Sequence, residues 1–152
     1  MKKPLFSEIA QIGIVVADIN KAIARWENEY GIGPWEILVL DHESASSIEV
    51  YGRPIPKDED YKVILAMSKL GEMHLELIQP VSENSDYYFY LQKHGEGFHH
   101  VAVRQEAALF DRIEAEGIEK IGSALIGKTN CAYYDTRKDL GFIIETFVEP
   151  EQ

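Results

Sequence analysis

Apolar residues along this chain fall into two patterns: near-continuous runs of strand length, and a few segments spaced at helical period. Ile9 to Val16 is a run of the first kind and predicts a buried strand. Asp18 then supplies an N-cap for a helix over Ile19 to Tyr30, in which Ile19, Ala22, Ile23 and Trp26 share one face. Gly31-Ile32-Gly33-Pro34 stops that helix, and Trp35 to Leu40 predicts a second strand. Asp41 to Asp60 is polar, broken by Pro54 and Pro56, and reads as a long excursion of the kind that often carries function. Tyr61 to Ser68 and Met73 to Gln79 predict a hairpin about Lys69-Leu70-Gly71-Glu72, closed by Pro80. Asp86 to Lys93 predicts a short helix bearing Tyr87, Tyr88, Phe89 and Tyr90, read as packing residues.

The same order then recurs: a strand at Phe98 to Val103, a helix at Glu106 to Glu116 closed by Gly117, and strands at Lys120 to Ile126, Asn130 to Asp135 and Phe142 to Val148. QIGIVV and HVAVR open the two halves, and ELIQP and ETFVEP close them. A repeat of this kind constrains architecture before any detail does. The expected fold is α+β, with two paired βαβββ modules (8–80 and 97–150) in one domain spanning 1–152, joined by a short helix near 86–94. Each module buries one face of its sheet under a helix. Pairing the two leaves the other faces to line a shared cleft, a half-open barrel with the helices outside.

Four of these strands carry a polar residue inside an apolar run: Gln11, Glu76, His100 and Glu145. Alternate side chains of a strand share a face. Gln11 therefore goes with Gly13 and Val15, opposite Ile12, Ile14 and Val16. Glu76 goes with His74 and Ile78, His100 with Ala102, and Glu145 with Ile143 and Phe147. Singly, each reads as a solvated residue on an open strand face. Together, two carboxylates, an imidazole and an amide are costly to bury unless they share a partner, and a divalent cation is the simplest one. His74 has the parity of Glu76 and is a candidate substrate contact, whereas His99 is expected on the far face as a hydrogen-bonded core histidine.

Composition narrows the function classes. With 45% hydrophobic and 27% charged residues the chain is ordinary globular material. A net charge of -11 leaves no Lys/Arg excess to neutralise phosphates, which argues against nucleic acid and against an anionic membrane surface. No apolar run approaches membrane-spanning length, and MKKPLFSEIAQ holds no apolar stretch of signal length. The single cysteine, Cys131, excludes an internal disulfide and suits a reducing compartment, so a cytoplasmic location is expected. The aromatic content and the Tyr-rich connecting helix make a homodimer the expected state.

From Ile9 to Pro150 the chain resembles the vicinal oxygen chelate superfamily, whose paired strand-helix-strand-strand-strand modules surround a metal-lined cleft. HLELIQP from His74, the aromatic helix and GEGFHHVAV from Gly95 resemble the corresponding segment of methylmalonyl-CoA epimerase and its relatives. That resemblance implies Glu76, His100 and Glu145 as metal ligands. At the first-strand position those epimerases usually place histidine, where this chain has Gln11. A Gln, Glu, His, Glu set resembles instead that of eukaryotic-type glyoxalase I, although the DPDG turn of that enzyme is replaced here by Asp135-Thr136-Arg137-Lys138-Asp139-Leu140-Gly141. The Gly31 to Trp35 turn and the Tyr51-Gly52-Arg53-Pro54 element resemble epimerase-like members whose first ligand has drifted.

An oxygen-rich set with one imidazole suits an octahedral divalent ion such as Zn, Ni, Co, Mn or Mg. Such an ion stabilises the enolate formed when a proton leaves the carbon beside a carbonyl. The expected function is therefore a metal-dependent isomerase or lyase acting on a small molecule: an acyl-CoA if epimerase-like, a glutathione hemithioacetal if a lactoylglutathione lyase. Glu145 is the candidate base, with Glu43 or Glu49 in the excursion left open as a second. Arg53, Lys57, Lys62, Lys128 and Arg137 are candidates to meet a polyanionic CoA. A bleomycin-resistance-like binding module is the alternative from another class, disfavoured because such members commonly lack the full ligand set. An extradiol dioxygenase ranks last, since its iron site needs two histidines and only one lies in this set.

Overall fold

The apolar run near the start of the chain becomes β1 (Phe6–Val15), and its alternation sorts the molecule into two faces. In this computed structural model, which describes residues 1–150, Val15 packs in an inner cluster, while Ile12 and Ile14 pack outward against the helices. After β1 come α1 (Ile19–Tyr30), β2 (Glu36–Leu40), β3 (Ser46–Val50), β4 (Arg53–Pro54), β5 (Val63–Leu70) and β6 (Met73–Pro80). The connecting helix α2 (Asp86–His94) leads into β7 (Gly97–Gln105), α3 (Ala108–Ala115), β8 (Lys120–Ile126), β9 (Thr129–Tyr134), α4 (Arg137–Leu140) and β10 (Ile143–Val148). Among the described residues no helix is long and apolar enough to cross a membrane.

All ten strands join one curled sheet in the order β2-β5-β6-β1-β7-β10-β9-β8-β3-β4. The order β1-β6-β5-β2 in the first half recurs as β7-β10-β9-β8 in the second, and in each half the first strand runs parallel to the last. An antiparallel β1/β7 pair joins the halves. This is the expected mixed α+β architecture, a half-barrel with α1 and α3 on its outer side and α2 packed on the inner side.

Local chemistry accounts for the helices. Asp18 accepts a hydrogen bond from the Lys21 amide at 3.1 Å, and Gly31 ends α1 at a φ of 65° that an L side chain adopts only with strain. Ile19, Ala22, Ile23 and Trp26 of α1 then cover Leu77, Ala66 and Ile14 on the outer face. Leu109 and Ile113 of α3 do the same over Val101, Val103 and Ile144. On the inner side, Tyr87 of α2 packs with Val15, Ile78, Tyr133 and Ile143.

Two expectations need correction. The segment Asp41 to Asp60 is not an irregular excursion throughout: β3 crosses to the second half and pairs with β8, Glu49 opposite Ser123 and Val50 opposite Gly122. Its driving force is the burial of Ile48 and Val50 at alternate positions. The second concerns strand parity at His99. Gly13 pairs with His100 and Ile14 with Phe98, so His99 is left over as a bulge. A bulge restarts the alternation, and His99 turns its ring toward His100 rather than to the far face.

Gly13 is fixed by the same pairing. A Cβ at this position would collide with the ring of His100, which lies across the β1 backbone. Gly13→Ala is therefore expected to destabilise the protein by about 1 to 3 kcal/mol through overpacking, read by denaturant unfolding. Leu77→Ala, which empties a fully buried position under α1, should cost about 3 kcal/mol. A Gly13→Ala protein as stable as the wild type would show that the His100 ring does not lie there.

Candidate metal centre

Gln11, Glu76, His100 and Glu145 come from β1, β6, β7 and β10, the four adjacent central strands. The register arranges them in two rows. In one, Gly13 lies between Glu76 and His100; in the other, Ala102 lies between Gln11 and Glu145. Neighbouring strands are about 4.8 Å apart, so side chains flanking a glycine or alanine have room to lean toward one another over it. The two smallest residues of the patch are what let the polar four converge.

They converge in the interior. Gln11, Glu76 and Glu145 are at most 7% exposed and His100 is fully buried. Nε2 of His100 lies 3.3 Å from Oε1 of Glu145 and 3.6 Å from Oε1 of Glu76. All three of these atoms are buried without a hydrogen-bond partner. Ionised carboxylates only accept, and a neutral imidazole has one accepting nitrogen, so with both glutamates charged the cluster is short of donors and favours either retained protons or a cation between its members. Donor atoms sharing one ion at about 2.1 Å stand about 3.0 to 3.4 Å apart. The His100–Glu145 pair already matches that spacing, and the His100–Glu76 pair is slightly long. Accordingly, no group of three His, Cys, Asp or Glu among the described residues is in ligating position as it stands. What fits a divalent cation is the chemistry of the donor set and its orphaned atoms.

The electrostatics say the same. Burial, with the charge of Glu145 adding to it and the Gln11 amide opposing it, pushes Glu76 well above the usual carboxylate range. Burial raises Glu145 to about 8 despite a hydrogen bond from Tyr133, and burial drives His100 down to about 3. Without a cation, each member is held in its neutral form.

Several residues that the sequence reading passed over complete the surroundings. Tyr133 stands directly opposite Glu145 in the β9/β10 pairing and is itself held by the Tyr87 hydroxyl at 2.7 Å. Its ring also packs edge-on against His100. Asp86, the first residue of α2, is buried beside His99. The signals available in sequence were faint: Tyr133 sits in a strand one turn away from a ligand strand, and Asp86 is a lone acid at the head of an aromatic helix.

A cavity of about 190 Å³ opens above the quartet, lined by Gln11, Glu76 and Glu145 on its floor and by apolar side chains such as Leu38, Leu65, Met67 and Phe147. His100 lies beneath this floor. Glu49 reaches the same cavity from β3, where it also pairs with Lys120 at 3.3 Å. Glu43 is exposed in the preceding turn and lines no part of the cavity. His74 is not brought to the quartet: it is exposed near Trp35 and Lys69 at a separate surface hollow. The basic residues do not gather at the cavity either. None lines it; Arg53 forks onto Glu59 and Arg137 onto Asp135.

The chain is similar to known proteins in fold and in sequence. Among solved structures, it is similar to a Streptomyces coelicolor methylmalonyl-CoA epimerase in complex with 2-nitronate-propionyl-CoA, at 20% identity and a TM-score of 0.65, over 96% of this chain and 99% of that one. It is also similar to methylmalonyl-CoA epimerase from Mycobacterium tuberculosis, at 19% identity and a TM-score of 0.63, over 99% and 93% of the two chains. At such identities the likeness establishes the fold. A curated relative, the uncharacterized protein YqjC of Bacillus subtilis (strain 168), is 30% identical over 96 residues, 63% of this chain; the match spans only 56% of that relative's length. A family model matches residues 10–132, taking in Gln11, Glu76 and His100, and on that match the chain belongs to the Glyoxalase/Bleomycin resistance protein/Dioxygenase superfamily.

Proposed function

We propose that this protein is a metal-dependent isomerase that removes and returns a proton at the carbon beside the carbonyl of an acyl thioester, in the manner of a methylmalonyl-CoA epimerase. The observation that carries this reading is the convergence of three orphaned polar atoms, those of Glu76 and Glu145 at the floor of an apolar cavity and that of His100 just beneath it. Gln11, Glu76, His100 and Glu145 would hold a divalent cation, which supplies electrophilic stabilisation for charge developing on a substrate carbonyl oxygen.

The remaining work falls to the chain. Leu38, Leu65, Met67 and Phe147 exclude water from the reacting carbon and so strengthen every charge interaction at the cavity floor. Four carboxyl side chains line this space, those of Glu49, Glu76, Asp86 and Glu145. Inversion at a carbon requires proton transfer on both of its faces, and Glu145 on β10, steadied by Tyr133, and Glu49 on β3 are the pair assigned to it, Glu49 favoured over Glu43 by its place in the lining. The structural likeness to methylmalonyl-CoA epimerases supports the substrate class. The presence of Gln11 beside Glu76, where an epimerase usually has histidine, is the observation favouring a second reading, a lactoylglutathione lyase that uses Glu145 alone as base.

The test is proton exchange. Incubated in D2O with methylmalonyl-CoA and a stoichiometric divalent ion, the protein should incorporate deuterium at the carbon between the carbonyls, and Glu145→Gln should lower the rate by about 10² to 10⁴. Exchange with the glutathione hemithioacetal of methylglyoxal and none with methylmalonyl-CoA would transfer the assignment to the lyase; no exchange with either would remove both. A stability measurement runs the other way. Glu76→Gln replaces a carboxyl that stays buried only by keeping its proton with an amide that is neutral at every pH, so it should raise the Tm of the chelator-treated protein by about 2 to 4 °C while abolishing metal-dependent exchange. A lowered Tm in that variant would show that burying Glu76 carries no such penalty.

A further inference from the structure

Beside the cavity lies a second hollow, of about 380 Å³, and the two share a wall at Met67. It opens where β2 stops: Glu36 opposite Met67 is the last pair at that end of the β2/β5 ladder, while β5 runs on to Leu70. Side chains from both faces of β5 therefore border the gap, Met67 and Lys69 from one face and Ser68 from the other. Pro34 and Trp35 close its far side. The strand register ties this hollow to the proposed metal site. Lys69 stands opposite His74, and His74 opposite Gln11, so at about 4.8 Å per strand Lys69 lies two strands out from Gln11 in the same row.

The donors around this hollow are uncommitted. Lys69 and His74 are exposed, and among the described residues neither forms an ion pair. By contrast, Arg53, Arg104, Arg112, Lys120 and Arg137 each already hold a carboxylate. Glu36 is the one acid in the lining. The Ser68 hydroxyl belongs to a residue only 3% exposed and is buried without a hydrogen-bond partner. A lysine offers three N–H donors, and an imidazole offers at least one whether neutral or charged. Another basic group, Lys93, His94 and Arg137, lines a hollow behind α2, but that hollow meets the cavity only through Asp86, which is 4% exposed and so forms a wall. Met67 is partly exposed and forms a rim.

We propose that this hollow binds the phosphate-bearing end of the substrate's carrier, with the thioester in the cavity and the connecting arm laid across Met67. It rests on reading the cavity as the seat of an acyl thioester. A CoA thioester carries its phosphates at the far end of a long, uncharged arm, so the groups that meet them have to stand outside the pocket that holds the acyl part. The two hollows divide in that way: apolar side chains and acids line the cavity, and unpaired donors stand beside it. Lys69 supplies charge, His74 and Ser68 supply directed donors, and Trp35 supplies an apolar wall. At a net charge of -11 the chain as a whole repels a polyanion. A local pair of unpaired basic side chains at the rim offsets that repulsion where the ligand enters.

The experiment is calorimetric titration of the full chain with two unreactive ligands, CoA and pantetheine, which has the same thiol arm and no phosphate. The wild type should bind CoA about tenfold more tightly than pantetheine, and added salt should narrow that difference. Lys69 and His74 are both exposed, so a double variant, Lys69→Ala with His74→Ala, should fold. In it the affinity for CoA should fall to that for pantetheine, while pantetheine affinity changes by less than about twofold. Equal affinity of the wild type for both ligands, a double variant that keeps the preference for CoA, or no binding of CoA at all would overturn the proposal. Inorganic phosphate that binds as tightly as CoA would mark a free-anion site and overturn it too. Failure of the epimerase reading looks different: a CoA preference lost in the double variant, from a protein that exchanges no proton of methylmalonyl-CoA, removes that reaction and leaves the phosphate subsite standing.

Discussion

The structure turns on a conflict at its centre: three buried atoms, one each from Glu76, His100 and Glu145, meet without a hydrogen bond to any of them. Left alone, such a cluster forces its carboxyl groups to keep their protons and its imidazole to stay neutral, as burial does here. A buried polar group without a partner costs about 1 to 3 kcal/mol. A chain that kept three of them in one place for packing alone would be replacing apolar residues at a loss. A shared cation would turn the same arrangement from a cost into a stabilising contact, which is the basis of the proposed metal site.

Everything around it follows from placing that cluster. The parallel β1/β6 and β7/β10 pairs bring each half's first and last strands side by side, and the antiparallel β1/β7 pair brings the halves together. Gly13 then leaves room for the His100 ring, and Ala102 separates Gln11 from Glu145. Helices α1 and α3 pack on the outer face, and the inner face lines the cavity above the quartet. The site is built on strands rather than loops, which holds its side chains to a narrow geometry.

Much of this was legible in sequence because strand periodicity is strict. Counting by twos from Gln11, Glu76, His100 and Glu145 put them on one face, and the repeat of two βαβββ units gave the fold that brings them into adjacent strands. The same counting failed where the period breaks or where position along a strand matters as much as face. His99 was assigned to the wrong side because a one-residue bulge leaves no mark in HHVAV. His74 shares a face with Glu76 but sits two residues nearer the turn, out in solvent. Crossing of β3 to the second half, which carries Glu49 into the cavity, depends on partners more than 70 residues away and is invisible to local pattern. Asp86 and Tyr133 matter through what they face, which no spacing in the chain reveals.

The central claim is that the four strand residues bind one divalent cation. Equilibrium dialysis of the chelator-treated protein against Co(II), with bound metal determined by elemental analysis, tests it most directly. The account requires about one ion per chain, lost when either Glu76 or Glu145 is replaced by leucine of similar bulk. Retention of no cobalt by the wild type, or equal retention by the wild type and both variants, would contradict it.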